Sequence, residues 1–364
     1  MNVTSLRRVA VPATAALVLS LSLAACGSSS SNGNGGKSVS GTLNGAGSTA
    51  QQAAQAAWAA GFQSSNSGAT INYNPVGSGG GVTKFNAGAV EFAGSDSALD
   101  PTKGEVAAAK TRCGGSVIEV PDYISPIAVV FNVPGVKTLN LDASTIASIF
   151  KGKITNWNDA AIKALNPSAS LPNLAIAPIH RSDKSGTTNN FTSYLNKAAG
   201  SVWTDAANSV WPMSSGEGAN GTSGVVAAVT AAKGGIAYVD DSQAQALSKA
   251  SIKVGSQFIQ PSAAGAAKDV ELSKQKSGRD ATDYAIDVER TSTDPTAYPI
   301  TLVSYLIACP TYPAAKVDLV KAFLLYAVSS AGQQAAATTA GSAPLPTSLQ
   351  QKATEFFSAI KAQG

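Results

Sequence analysis

Four short segments carry the residue types that hold an anion without a metal. They are Gly45-Ala46-Gly47-Ser48-Thr49-Ala50, Gly77-Ser78-Gly79-Gly80-Gly81, Gly94-Ser95-Asp96-Ser97 and Arg181-Ser182-Asp183-Lys184-Ser185-Gly186-Thr187. Glycine lets backbone N–H groups approach a ligand, and serine or threonine hydroxyls rotate to donate. Each segment alone also reads as ordinary turn chemistry. Arg181 adds a planar fork matched to two oxygens of a tetrahedral anion, and Asp183 is spaced to hold the guanidinium, although a plain surface salt bridge fits the same spacing. Asp96 is the odd member. An ionised carboxylate only accepts hydrogen bonds, so in an anion site it admits a guest that still carries a proton and repels one that does not. Outside such a site Asp96 is a turn or helix cap.

An alternating α/β pattern delivers these segments. Strands are expected at 42–44, 71–76, 91–93, 174–179, 235–239 and 300–308, with β-branched runs at 116–120 and 124–131 broken by Pro121 and Pro126. Helices are expected at 49–62, from about Val82, at 141–150 with Asp142 as N-cap, around Phe191, Tyr194 and Leu195, and at 225–232, 317–328 and 349–362. Three of the four segments lead into helices, whose first N–H groups and positive dipole ends favour anions.

The 364 residues carry a formal net charge of +4, too balanced for a polyanion-coating protein, so no nucleic-acid partner is expected. One His and three Cys leave too few ligands for a zinc, haem or iron–sulfur site, and no metal or cofactor is expected. Arg7 and Arg8 precede an apolar stretch that ends in Leu23-Ala24-Ala25-Cys26, which reads as a leader over 1–25 cleaved before a lipid-bearing Cys26. An uncleaved membrane anchor is the other reading. Residues 26–40 are nearly all Gly, Ser and Asn after Cys26 and are expected to form a flexible tether, with the globular body starting near Gly41. That address is extracytoplasmic, on the outer face of the cytoplasmic membrane. In an exported chain the remaining Cys113 and Cys309 suggest a disulfide, with two separate thiols as the alternative.

The residues resemble the PstS family, the phosphate-binding lipoproteins of bacterial phosphate ABC importers. The resemblance runs along the chain. It rests on Gly45 to Thr49, Gly77 to Val82, Gly94-Ser95-Asp96, Ile149 to Trp157, Leu165-Asn166-Pro167, Arg181 to Thr187, Phe191 to Leu195 and Tyr298-Pro299-Ile300. It implies an α/β, two-lobe, periplasmic-binding-protein-like fold of type II, each lobe a mixed sheet flanked by helices, with the ligand in the interlobe cleft. By the same analogy one lobe spans 41–122 plus 296–364 and the other 123–295, which puts Cys113 and Cys309 in one lobe and favours their pairing. Carried over by motif, Thr49, the N–H of Ala50, Ser78, Asp96, Arg181, Ser185, Gly186 and Thr187 hold phosphate, and Asp183 orients Arg181. Partners implied are inorganic phosphate and membrane permease subunits, with the receptor a monomer and no enzyme. Two positions depart from the family's usual pattern. Ala50 replaces a large apolar residue and is expected to open the pocket rim, while Lys184 replaces a Gly and is expected either to add positive potential or to tighten its turn.

Other readings explain less. Gly45-x-Gly47-x-x-Ala50 formally fits a dinucleotide fingerprint, but no acidic residue follows at the required distance. Gly36-Lys37-Ser38 mimics a Walker tail inside the tether. An exported Ser-dependent phosphoester hydrolase would use Ser185 or Ser78 with His180, the sole histidine, yet its place next to Arg181 on a strand points it to the opposite face. A receptor for another tetrahedral oxyanion, such as sulfate or molybdate, conflicts with Asp96. Trp58, Trp157, Trp203 and Trp211 are scattered and read as packing rather than as a sugar platform.

Overall fold

A computed structural model describes residues 38–244 and 246–364. The leader 1–25, Cys26 and the tether up to Lys37 lie outside the described residues. The chain is anchored by Val39, whose N–H donates to Asn66 Oδ1 and whose side chain packs on the core.

Among the described residues nine strands form one continuous sheet. Its path runs through Ala69–Asn74, Gly41–Gly47, Phe92–Ser95, Thr301–Ala308, Ile118–Asn132, Gly235–Asp240, Ala177–Arg181 and Glu217–Ala219, with Ser248–Lys249 paired beside the long strand. The first three strands are parallel to one another, as are the last three of the path, and the two strands between them run antiparallel to their neighbours. This is a two-lobe α/β arrangement in which two strands join the lobes. The carboxyl ends of the parallel strands, at Gly47, Asn74, Ser95 and Arg181, carry the loops named above, as open α/β sheets place their ligand loops.

The two β-branched runs expected at 116–120 and 124–131 are a single strand, Ile118–Asn132. Both prolines sit where a missing N–H is harmless. Pro121 lies at a bulge, since Tyr305 pairs with Pro121 while Ser304 pairs with Tyr123, which leaves Asp122 as the extra residue. Pro126 is the last residue paired with Thr301–Ala308; from Ile127 onward the partner is Gly235–Asp240. The strand therefore changes its pairing partner at a proline.

Helix starts differ from expectation where glycine hides them. The helix expected from Val82 begins at Ser78, so Ser78 to Gly81 form its first turn, and Gly77 takes φ 83° to allow the entry. The first helix is Gln52–Ser65 rather than 49–62, and the last is Thr347–Ser358 rather than 349–362. The strand expected at 174–179 lies at Ala177–Arg181. Asp142 does cap its helix, Ala143–Phe150, accepting from Thr145 N at 2.7 Å. Trp58, Trp157 and Trp203 are fully buried and Trp211 nearly so, consistent with packing. Cys113, at the end of the helix Glu105–Cys113, is disulfide-bonded to Cys309 just past the strand Thr301–Ala308. No described helix is long and apolar enough to cross a membrane.

Candidate anion site

Loops of both lobes meet in one buried cluster. Thr49, Ser78, Asp96, Arg181, Ser185 and Thr187 are each less than a tenth exposed. Thr49 Oγ1 lies 2.8 Å from Thr222 Oγ1 and accepts from Thr222 N at 3.2 Å, and Thr222 Oγ1 in turn lies 3.5 Å from Arg181 Nη1. Gln243 Nε2 donates to the Thr49 carbonyl at 2.8 Å. These contacts join the lobes on one side of the cluster.

Arg181 closes its strand, and its guanidinium is held by Asp183 through Nε to Oδ1 at 2.7 Å and Nη2 to Oδ2 at 2.5 Å. Gly221 N also donates to Asp183 Oδ1 at 3.1 Å. Burial pushes the Asp183 carboxyl up, but the hydrogen bonds and charge of Arg181 outweigh it and hold the group below the usual carboxylate range. Asp183 thus orients Arg181, and Nη1 is the nitrogen left outside the pair.

Asp96 occupies the facing wall. Ser304 Oγ donates to Oδ1 at 2.5 Å, while Ser78 Oγ and Thr187 Oγ1 reach Oδ2 at 3.3 and 3.4 Å. Its N–H donates to Ser78 Oγ at 3.0 Å. Burial raises the Asp96 carboxyl above its ordinary value, opposed by the hydroxyls of Ser304, Ser48 and Ser78 and by the charge of Arg181.

Ser185 caps the helix Gly186–Ala198, its Oγ accepting from Thr188 N at 3.2 Å, which leaves its O–H free to donate. The N–H groups of Gly186 and Thr187 open that helix. Residue 79 must be glycine for the lobes to meet as they do: a Cβ there would lie 2.5 Å from Lys184 Cβ, while Gly79 N donates to the Lys184 carbonyl at 3.1 Å. Lys184 itself is exposed.

One expectation changes, that for Ala50, and one holds, that for His180. Ala50 N is directed onto Ser48 Oγ at 3.0 Å, and Ala50 is fully buried, so that position opens no rim. His180 stacks on Trp211, with ring centroids 5.0 Å apart, and its Nδ1 faces the Arg181 carbonyl rather than a serine hydroxyl.

The sequence alone did not single out Thr222, Ser304, Gln243, Asn190 or Arg290. Ser304 sits inside an apolar strand run and carries no local signal. Asn190 lies one turn beyond Gly186, on the same helix face, and was within reach of a helical-spacing argument.

A family model described as a PBP superfamily domain matches residues 32–331. The chain is 37% identical over 326 residues to the phosphate-binding protein PstS 3 of Mycobacterium leprae, covering 88% of this chain and 87% of that one. It is 38% identical to PstS2 of Mycobacterium bovis over 332 residues, covering 87% of each. The chain belongs to the PstS family. At the level of fold, it is similar to the periplasmic phosphate-binding protein PfluDING bound with phosphate, with a TM-score of 0.70 at 23% identity over 85% of this chain and 92% of that one. A phosphate-binding protein from Stenotrophomonas maltophilia gives a TM-score of 0.67 at 22% identity over 86% and 93%. Among the described residues of this PstS-family chain no group of three or more His, Cys, Asp or Glu side chains is placed to hold a metal.

Proposed function

We propose that this PstS-family chain is a lipid-anchored extracytoplasmic receptor that captures inorganic phosphate between its lobes and delivers it to the permease of an ABC importer. The names of its relatives support the ligand, and the cluster supports the chemistry. Arg181 supplies the one full positive charge, aimed by Asp183. Thr49, Ser78, Ser185 and Thr187 supply hydroxyls, and Gly186 and Thr187 supply N–H groups at a helix start. Ala50 belongs to this set through its backbone, once its N–H turns from Ser48 Oγ.

Asp96 is the observation that carries the reading. Its Oδ1 is committed to Ser304, whereas Oδ2 has only two long hydroxyl contacts. Ser78 and Thr187 turn towards the anion, and Oδ2 accepts the O–H that mono- or dibasic phosphate retains and sulfate lacks. Closure of the lobes excludes water and strengthens each of these contacts. No bond is made or broken, and the stacked His180 supplies no base for a serine nucleophile.

Calorimetric titration of the chain without its leader tests this. Phosphate is expected to bind, sulfate is not, and no product is released from a phosphoester. Heat from sulfate at comparable affinity, or ester turnover, overturns the reading.

A further inference from the structure

The buried side chains of Asn190 and Arg290 form a unit that lies behind the anion cluster, and no role has been assigned to either. Asn190 is 6% exposed and Arg290 5%. Asn190 Nδ2 donates to the Asp96 carbonyl at 2.5 Å and to the Gly186 carbonyl at 3.0 Å. One acceptor belongs to the lobe of Phe92–Ser95, the other to the first residue of the helix in the opposite lobe. Asn190 Oδ1 accepts from Arg290 Nη2 at 2.5 Å. Arg290 Nη1 donates to the Thr301 carbonyl at 2.6 Å and to that of Pro299 at 3.3 Å, where the chain enters the strand that returns between the lobes.

The chemistry of the two groups fixes the geometry. A guanidinium has only donors, so the amide must present Oδ1 to Arg290 and its NH2 to the two carbonyls; it cannot flip without setting donor against donor. We infer that Asn190, locked in this orientation by Arg290, is a positioning residue that latches the closed cleft by tying the Asp96 wall to the start of the helix Gly186–Ala198. The inference rests on the receptor reading above. Opening the cleft separates Nδ2 from the Asp96 carbonyl, so the latch slows ligand escape more than it affects ligand entry. Water can solvate both groups once the cleft is open, which keeps the effect moderate.

The test is Asn190→Asp in the full chain, followed by stopped-flow measurement of phosphate association and dissociation. The carboxylate matches the amide in shape and keeps Arg290 partnered, but it cannot donate to Asp96 or Gly186. Dissociation is expected to accelerate about tenfold or more, with association within about twofold and the ligand-free melting temperature close to that of the parent. Arg290→Lys adds no negative charge and is expected to accelerate dissociation less. Unchanged dissociation in Asn190→Asp overturns the latch. So does a loss confined to association that fades with added salt, because that is the signature of the new charge alone. If the parent chain binds no phosphate, the receptor reading fails, and the latch is judged by paired spin labels on the two lobes without ligand. The parent is then expected to hold a short-distance population that Asn190→Asp loses, and identical distance distributions overturn the latch.

Discussion

Ser304 Oγ lies 2.5 Å from Asp96 Oδ1 and fixes that carboxylate from the strand that returns between the lobes. The contact leaves Oδ2 as the oxygen that faces Ser78 and Thr187. Because Ser304 sits next to the bulge at Asp122, the strand that carries it also sets the position of the carboxylate proposed to govern selectivity.

On the proposed reading, Asp183 acts on the anion only through Arg181. Asp183→Asn keeps one acceptor but turns an N–H towards a guanidinium that cannot accept it. Phosphate affinity is expected to fall about tenfold or more, as for loss of a hydrogen bond to a charged group. Titration calorimetry reads the change; an unaltered affinity means that Arg181 needs no such support.

Gly79 and Lys184 set how closely the lobes meet. Gly79→Ala places a methyl against Lys184 Cβ, and phosphate affinity is expected to fall at least tenfold while the ligand-free melting temperature stays near that of the parent. Lys184→Gly in the same chain removes the obstructing atoms and is expected to restore most of the loss. A double variant as weak as Gly79→Ala would place the defect elsewhere.

Buried acids, Asp240, Asp269 and Glu119 among them, make stability depend on pH in an unusual direction. Burial lifts Asp240 and Asp269 to about 7. Burial and the neighbouring Asp283 charge lift Glu119 to about 8, against the pull of Arg279. In the unfolded chain such groups lose their protons near pH 4, whereas the folded chain keeps them to pH 7–8, so unfolding releases protons between those limits. These groups therefore lower stability as pH rises from about 4 to about 8, and add no further change above that. Asp240→Asn keeps an acceptor for Tyr123 and Ser242 without the charge, and its melting temperature is expected to fall less than that of the parent between pH 5 and 9. A parent melting temperature that rises across this range contradicts the account.

Much of the anion cluster was legible because its chemistry is local. Ser185 caps a helix that starts with Gly186 and Thr187, and Asp183 lies two residues from the arginine that it holds, so adjacency in sequence implied proximity in space. The missed partners come from distant parts of the chain. Ser304 is 208 residues from Asp96 and Arg290 is 100 from Asn190, and only the sheet topology brings each pair together. At the level of elements, prolines misled at 121 and 126, where a bulge and a change of pairing partner absorb them. Glycines misled at 79–81, where a helix begins despite their poor propensity because Gly79 lies against Lys184 and Gly81 against the backbone of Ala46 and Gly47. The helix Ser330–Ala340 was missed because its Ala, Gln and Thr residues show no apolar stripe; it packs through Gly332, Gln333, Ala336 and Ala340.

The central claim is that Asp96 selects by demanding a proton from its guest. The most direct test is calorimetric titration of phosphate and sulfate into the parent chain and Asp96→Asn at neutral pH. The account predicts that the parent binds phosphate and excludes sulfate, whereas the variant loses about 10–100-fold in phosphate affinity and gains measurable sulfate binding. Equal affinities of the parent for the two anions, or a variant that still excludes sulfate, would contradict it.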